Sequence, residues 1–280
     1  MIIHSDWHIH SAASFDSSLS LEEIIQSTNQ SAFRKAGIAD HVNFNDLQFL
    51  NDLKKSAETV HEQRKSHPEL VLGVELTPIS KPEFDYIAQH NGIHDGYIPP
   101  ATTQPYGIEL AQTKDELIAQ GIQYTIGAAH WRVDIPGGLS IKPDFEEDIR
   151  EWHRQQMWLA CDERVTILGH PWCHLTQLWY DDFSVIPASM NAELGAALKE
   201  NGKYVECNSY FLNEFSKTSE KFRHQYAEFL RELFEMGIPV TYGSDAHSHY
   251  HPLHVSTEPY LIAAGFKDGD IVELREESLW

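Results

Sequence analysis

The sequence predicts an α/β fold: an irregular or seven-stranded barrel of parallel strands wrapped by helices. Three observations predict it. Short, nearly all-apolar runs recur along the chain, as strands covered on both faces require. Longer stretches with helical signals separate them, the rhythm of strand–helix–strand units. Each run also ends in a side chain able to bind a metal. Seven such repeats fit the chain better than eight.

The elements follow in order. Ile2–Asp6 reads as the first strand, and Ser20-Leu21-Glu22-Glu23 as a capping box opening a helix. Gly37–Asp40 and Leu70–Glu75 are the second and third strands. A second capping box, Thr113-Lys114-Asp115-Glu116, precedes the fourth strand at Tyr124–Ala129. Asp144 to Cys161 is helical in pattern and leads to the fifth strand, Val165–Gly169. A shorter helix, Asn191 to Glu200, ends before Gly202, and Lys203–Asn208 is the sixth strand. Glu220 to Met236 is helical until Gly237 stops it, and Pro239–Gly243 is the seventh strand.

A length of 280 residues suits one barrel domain, 1–280, because no linker, repeat or low-complexity segment divides the chain. No stretch has the apolar length of a bilayer span, and the N-terminus lacks the pattern of a signal peptide, so a cytoplasmic protein is expected. Cys161, Cys173 and Cys207 are odd in number and contain no Cys-x-x-Cys pair, which disfavours a disulfide framework or a thiolate zinc site. The net charge of −21 opposes nucleic-acid binding, which depends on Lys and Arg meeting phosphates.

The 17 histidines matter through their placement. The first strand is followed by Asp6-Trp7-His8-Ile9-His10 and then Asp16. The second ends in Asp40-His41, the third in Glu75, the fourth in His130 and the fifth in Gly169-His170-Pro171. Glu206 and Asn208 lie on the sixth, and the seventh runs into Ser244-Asp245-Ala246-His247. In a parallel barrel the C-terminal strand ends form one rim, so these residues converge. The period-two spacing of His8 and His10 turns both imidazoles to one side of an extended chain, and Asp245 and His247 share that spacing. A single His at a strand end is more often a hydrogen-bonded core residue. Seven strand ends together are another matter, since burying that many ionisable groups without a cation is costly. Imidazole with carboxylate suits Zn, Mn or Fe and selects none of them.

These motifs, Asp6-Trp7-His8-Ile9-His10, Ala39-Asp40-His41, Gly73-Val74-Glu75, His130, Gly169-His170-Pro171 and Gly243-Ser244-Asp245-Ala246-His247, resemble those of the PHP (polymerase and histidinol phosphatase) family. The resemblance spans positions 6 to 247 and is closest to the histidinol-phosphatase-like branch. It implies a distorted seven-stranded (β/α)7 TIM-like barrel holding two or three divalent ions. One ion would be held by His8, His10, Glu75 and Asp245. A second, bridged by Glu75, would be held by His130 and His170. Asp16, His41 and His247 would hold a third; some family members have a His at the position of Asp16.

The implied activity is phosphoester hydrolysis by a metal-activated hydroxide. Glu75, Asp245 and His247 are the catalytic candidates, Glu75 as the bridging carboxylate and the other two as proton relays that ligation already occupies. Arg132, His174, Glu206 and Asn208 are candidate substrate contacts; Glu206 and Asn208 read equally as supports behind the metal ligands or as residues that serve the fold alone. A guanidinium at Arg132 can fork onto a phosphate, although a solvated loop Arg is the plainer reading. Trp131, Trp172, Trp179 and Tyr210 are either pocket walls or loop packing.

The favoured substrate is a small phosphorylated metabolite, a monoester resembling histidinol phosphate, which would place the chain in histidine biosynthesis. A phosphodiesterase or nuclease acting on nucleotides is the first alternative. A metal-dependent amide or lactone hydrolase is the second, weakened by the lack of a candidate carboxylated lysine at a strand end. A non-catalytic metal-binding scaffold is the third; the complete ligand set that the resemblance implies argues against it.

Overall fold

A computed structural model describes residues 1–31, 33–43, 47–80, 107–134, 144–173, 178–214, 218–248, 250 and 254–280. Its central sheet has the order β1 (Asp6–Ile9), β2 (Ala36–Ile38), β4 (Leu70–Leu76), β7 (Tyr124–Gly127), β8 (Ile167–Leu168), β9 (Tyr204–Asn208) and β10 (Val240–Gly243), every neighbouring pair parallel. A short strand β3 (His41–Val42) pairs with β4 in the register that β2 began, so β2 and β3 are one interrupted strand. The sheet is a nearly closed barrel. At the seam Asp245 N donates to His8 O at 2.7 Å and His10 N to Ala246 O at 3.0 Å. Outside the barrel, β5 (Ile79–Ser80) and β6 (Ile108–Glu109) form an antiparallel pair.

The helices are α1 (Leu21–Gln30), α2 (Leu47–Gln63), α3 (Lys114–Ala119), α4 (Phe145–Cys161), α5 (Ala188–Glu200), α6 (Glu220–Glu235) and α7 (His254–Ala263). Both expected capping boxes are present: Ser20 and Thr113 accept from the backbone of Glu23 and Glu116, whose carboxylates return the bond. Asp144 caps α4, and Gly237, at φ +92°, turns the chain after α6. These caps satisfy N–H groups that the first helical turn leaves without partners.

The first strand begins four residues later than the sequence suggests, at Asp6 instead of Ile2. Ile2 and Ile3 are buried, but their N–H groups go to the Glu258 carboxylate and not to a ladder. Apolarity therefore marks the burial of this segment and misplaces its pairing. As a result His8 lies within the strand.

The main core lies between sheet and helices, with Phe222, Tyr226, Phe229 and Leu230 of α6 among its members. A smaller cluster includes Trp7, Val71, Tyr124, Ile126, Ile167 and Tyr204. Tyr124 Oη donates to Trp7 O at 2.6 Å, joining β7 to β1 across strands that are not neighbours, so this cluster fills the barrel interior. Among the described residues, no helix is long and apolar enough to cross a membrane.

Candidate active site

Each parallel strand delivers one or two polar side chains to the same end of the barrel. His8 is in β1 and His10 one residue past it; His41 is in β3, in register with Glu75 of β4. His130, His170, Asp245 and His247 follow β7, β8 and β10 within a few residues, and Glu206 and Asn208 occupy β9. Asp16 comes from the loop between β1 and α1, held by Ser14 Oγ at 2.9 Å.

Glu75 is the centre of the arrangement and is completely buried. Its Oε2 lies 3.3 Å from His8 Nε2, 3.5 Å from His10 Nε2 and 2.8 Å from His41 Nδ1. Its Oε1 lies 3.2 Å from His130 Nε2 and 3.0 Å from His170 Nε2. One carboxylate thus meets five imidazoles. Asp245 Oδ1 sits 3.1 Å from His10 Nε2 and 3.6 Å from His8 Nε2. Asp16 Oδ2 stands 3.3 Å from both His41 Nε2 and His247 Nε2. The grouping is more interwoven than three separate sets: His10 also belongs with Asp16, His41 and His247, and His41 also belongs with Glu75 and His130.

The hydrogen bonds behind these rings decide which nitrogen faces the centre. Carboxylates and carbonyls only accept, so His8 Nδ1 donates to Glu206 Oε1 at 2.7 Å and His247 Nδ1 to the Asp245 carbonyl at 2.9 Å. Their Nε2 atoms then point lone pairs, unless protonated, at Glu75 and Asp16 oxygens. Glu75 Oε2 is buried with no well-directed donor. A buried acceptor facing imidazole lone pairs needs a proton or a cation between them. This nitrogen–oxygen set fits a divalent ion of the zinc, manganese or iron kind.

The electrostatics agree. Burial alone would push Glu75 up, but His41, His8 and His130 outweigh it and hold its carboxyl well below the usual range. Asp245 is held low against burial by His8 and His10, and Asp16 by His247 and His41. Burial opposes charging of His41, yet Glu75 and Asp16 raise it to about 10. His10 is pushed well below its ordinary value by burial and by His247 and His41. Without a cation, positive charge at this centre falls to its imidazoles.

A cavity of about 440 Å³ opens onto this centre, lined in part by Asp16, His130, His170, Tyr210, Phe211 and His247. Tyr210 and Phe211 lie in a π-helical turn, Tyr210–Glu214, directly after β9; such turns are frequent at functional sites. Phe211, Cys173 and Ser248 line the cavity without a sequence signal. Thr77 is a different case. Its Oγ1 lies 2.9 Å from His130 Nδ1, and its place two residues after Glu75 puts it on the same side of an extended chain.

Of the four residues named as candidate substrate contacts, Arg132, Glu206 and Asn208 are among the described residues. Arg132 is buried instead of solvated, its fork bound to Asp134 and its Nη1 to Asp148 at 3.0 Å. Glu206 and Asn208 are buried among the clustered His and Asp side chains and do not line the cavity. His174 lies outside the described residues. Trp172 and Trp179 are loop packing, with Trp179 Nε1 donating to Trp172 O at 2.7 Å, whereas Tyr210 does wall the cavity.

The chain matches a family model, the PHP domain, over residues 6–210. None of the curated proteins compared matches it. Among solved structures it resembles the histidinol phosphate phosphatase of Lactococcus lactis subsp. lactis Il1403, complexed with zinc, L-histidinol and phosphate. The TM-score is 0.63 at 16% identity, with 97% of this chain and 99% of that one covered. A. niger ochratoxinase gives a TM-score of 0.48 at 12% identity, over 99% of this chain and 69% of that one. With the family matched over most of its length and a parallel barrel that gathers histidines and carboxylates at one end, this chain belongs to the PHP domain family, as a metal-dependent hydrolase acting on phosphoesters.

Proposed function

We propose that the chain is a histidinol-phosphatase-like phosphomonoesterase that uses two or three divalent ions, Zn, Mn or Fe, on a small phosphorylated metabolite. The observation that carries this reading is the Glu75 carboxylate, buried and faced by five imidazoles. His8, His10, Glu75 and Asp245 hold one ion. Glu75 is shared with His130 and His170 for a second, and Asp16, His41 and His247 hold a third, with His10 within reach of both flanks. Divalent ions bound there supply an activated water and neutralise charge on phosphoryl oxygens.

The protein's own residues do the rest. Glu75 keeps its carboxylate ionised between the flanks. His247 holds its Nδ1 proton on the Asp245 carbonyl, which leaves Nε2 toward the cavity side and makes it a candidate for proton transfer with Asp245. Glu206 and Asn208 support ligands, and Arg132 braces the loop after His130. A cavity of about 440 Å³ suits a small molecule better than a polymer. The zinc, L-histidinol and phosphate of the Lactococcus lactis structure support a monoester whose alcohol is small. Residues 1–280 are read as one barrel domain, because β10 and the following residues meet β1 although the family match stops earlier. Three free cysteines fit a cytoplasmic setting.

The test is elemental analysis of the purified chain together with phosphate release from a substrate panel. Two or three ions per chain, faster hydrolysis of p-nitrophenyl phosphate than of its bis ester, and selectivity for histidinol phosphate are expected. Preference for the bis ester replaces the reading with a phosphodiesterase. A chain that binds no metal and stays inactive after reconstitution overturns it.

A further inference from the structure

Glu206 lies at the crossing point of the site and does not line the cavity. It is 1% exposed, in β9, between β8 and β10. Its Oε1 accepts from His8 Nδ1 at 2.7 Å, and its Oε2 accepts from the His170 backbone N–H at 2.6 Å. Asn208 Nδ2 adds a bond to Oε2 at 3.2 Å and reaches Asp245 Oδ2 at the same distance. His8 comes from β1 and His170 from the end of β8, strands that do not pair, so this carboxylate spans the barrel end. Among the described residues His170 is one of three non-glycine residues with positive φ, at 22°, and its N–H is the group that Glu206 holds.

The space for this carboxylate is built into the chain. A Cβ at Gly243 would lie 1.8 Å from Glu206 Oε1 and 2.6 Å from His8 Cβ. Gly243 needs no unusual backbone angle, so its missing side chain is explained by the Glu206–His8 contact alone.

We propose that Glu206 is the positioning residue of the metal centre: one oxygen fixes the His8 ring so that Nε2 faces the centre, the other fixes the His170 backbone, and Gly243 leaves room for both. The inference rests on the metal-centre reading above. A ring whose Nδ1 proton is held by a carboxylate keeps its Nε2 lone pair free for an ion, and such outer contacts set ligand orientation and basicity. Gln in place of Glu206 offers one acceptor oxygen where the carboxylate meets three donors with two. Either His170 N–H loses its partner or the His8 ring is driven to the tautomer that blocks Nε2.

The experiment uses the full chain stripped of metal and titrated with Mn²⁺, reading free ion by electron paramagnetic resonance. In parallel, p-nitrophenyl phosphate hydrolysis is followed against Mn²⁺ concentration. Glu206→Gln is expected to weaken Mn²⁺ uptake about 10–100-fold. Its activity midpoint should move to higher Mn²⁺ by the same factor, with KM at saturating Mn²⁺ within about threefold of the parent (a factor of ten in K being 1.4 kcal/mol, this is a small binding change). Gly243→Ala alters no donor or acceptor and should move the midpoint in the same direction. Glu206→Asp, which keeps the charge but shortens the reach, provides a third reading if either variant is poorly folded. A merely structural residue lowers the amount of folded protein and leaves the midpoint of that folded fraction unmoved; such a result in any folded variant overturns the proposal. A parent chain that takes up no Mn²⁺ overturns instead the metal-centre reading on which it rests.

Discussion

Arg132 Nη1 donates to Asp148 Oδ1 at 3.0 Å, joining the loop after His130 to the first turn of α4. Both side chains are buried, at 4% and 0% exposure. Breaking a buried pair leaves one charge without compensation, which costs more than the pair contributes when intact. Arg132→Ala is therefore expected to lose about 3 kcal/mol of stability. In the folded fraction KM should stay within about twofold, well under the tenfold that 1.4 kcal/mol of lost binding would give. Urea unfolding and steady-state kinetics check this. A large rise in KM with unchanged stability would put the guanidinium on the substrate after all.

Glu75 faces imidazoles from both flanks of the centre through opposite oxygens. Glu75→Gln keeps the shape and removes the charge. Ion uptake should fall to at most one per chain, and kcat/KM should fall by about 10³-fold, the rate equivalent of the several kcal/mol that a bound ion supplies. The same cut in rate with full ion content would show Glu75 acting on substrate and not on metal. Elemental analysis beside the kinetics separates the two.

Much of this site is legible in the sequence because a parallel barrel turns strand ends into neighbours. His8, His10, His41, Glu75, His130, His170, Asp245 and His247 are far apart in the chain, and the rim rule alone brings them together. What sequence does not carry is which side of a ligand a polar neighbour occupies. Glu206 and Asn208 sit on the right strand, but only distances show that they face His8 Nδ1, His170 N and Asp245. Fully buried strands also hide their own limits: no alternation marks the pleat of β1, so Ile2 and Ile3 read as strand while His8 reads as lying beyond it. The helix α7 is obscured by Pro259 within it, and the π-helical turn that carries Tyr210 has no period to detect.

Asp162 gives a pH dependence away from the metal centre. Burial would raise its carboxyl, but the Arg164 side chain and backbone N–H outweigh that and hold it below its ordinary value. Arg164 meets Asp162 Oδ1 through Nε at 2.8 Å and Asp162 Oδ2 through Nη2 at 2.6 Å, and also reaches Glu109. A carboxyl with a depressed folded pKa stabilises the fold above its unfolded pKa, about 3.9. That contribution is lost as pH falls through the lower folded value. Asp162→Asn should thus cost about 1.5–3 kcal/mol at pH 7, the worth of a hydrogen bond to a charged group. The gap between parent and variant should narrow below about pH 4. Urea midpoints across a pH series test it, and a gap that widens on acidification has the wrong sign.

Removing the ions should expose the strain of the bare centre. Burial opposes charge on His41 and His8 while the neighbouring carboxylates favour it, so removing the ions leaves these buried imidazoles and carboxylates without a cation between them. An ion that binds only the folded chain adds stability as RT ln(1 + [L]/Kd), about 2.7 kcal/mol at one hundred times Kd. Chelated protein is therefore expected to melt lower, and its Tm to climb with the logarithm of added Mn²⁺ once Kd is passed. The measurement is a thermal melt of chelated protein at several Mn²⁺ concentrations, beside the same series on Glu75→Gln. The parent should climb more steeply than the variant, which is expected to hold at most one ion. Equal slopes in both would mean that the ion stabilises the chain at some other place, and Glu75 would lose its position at the centre of the site.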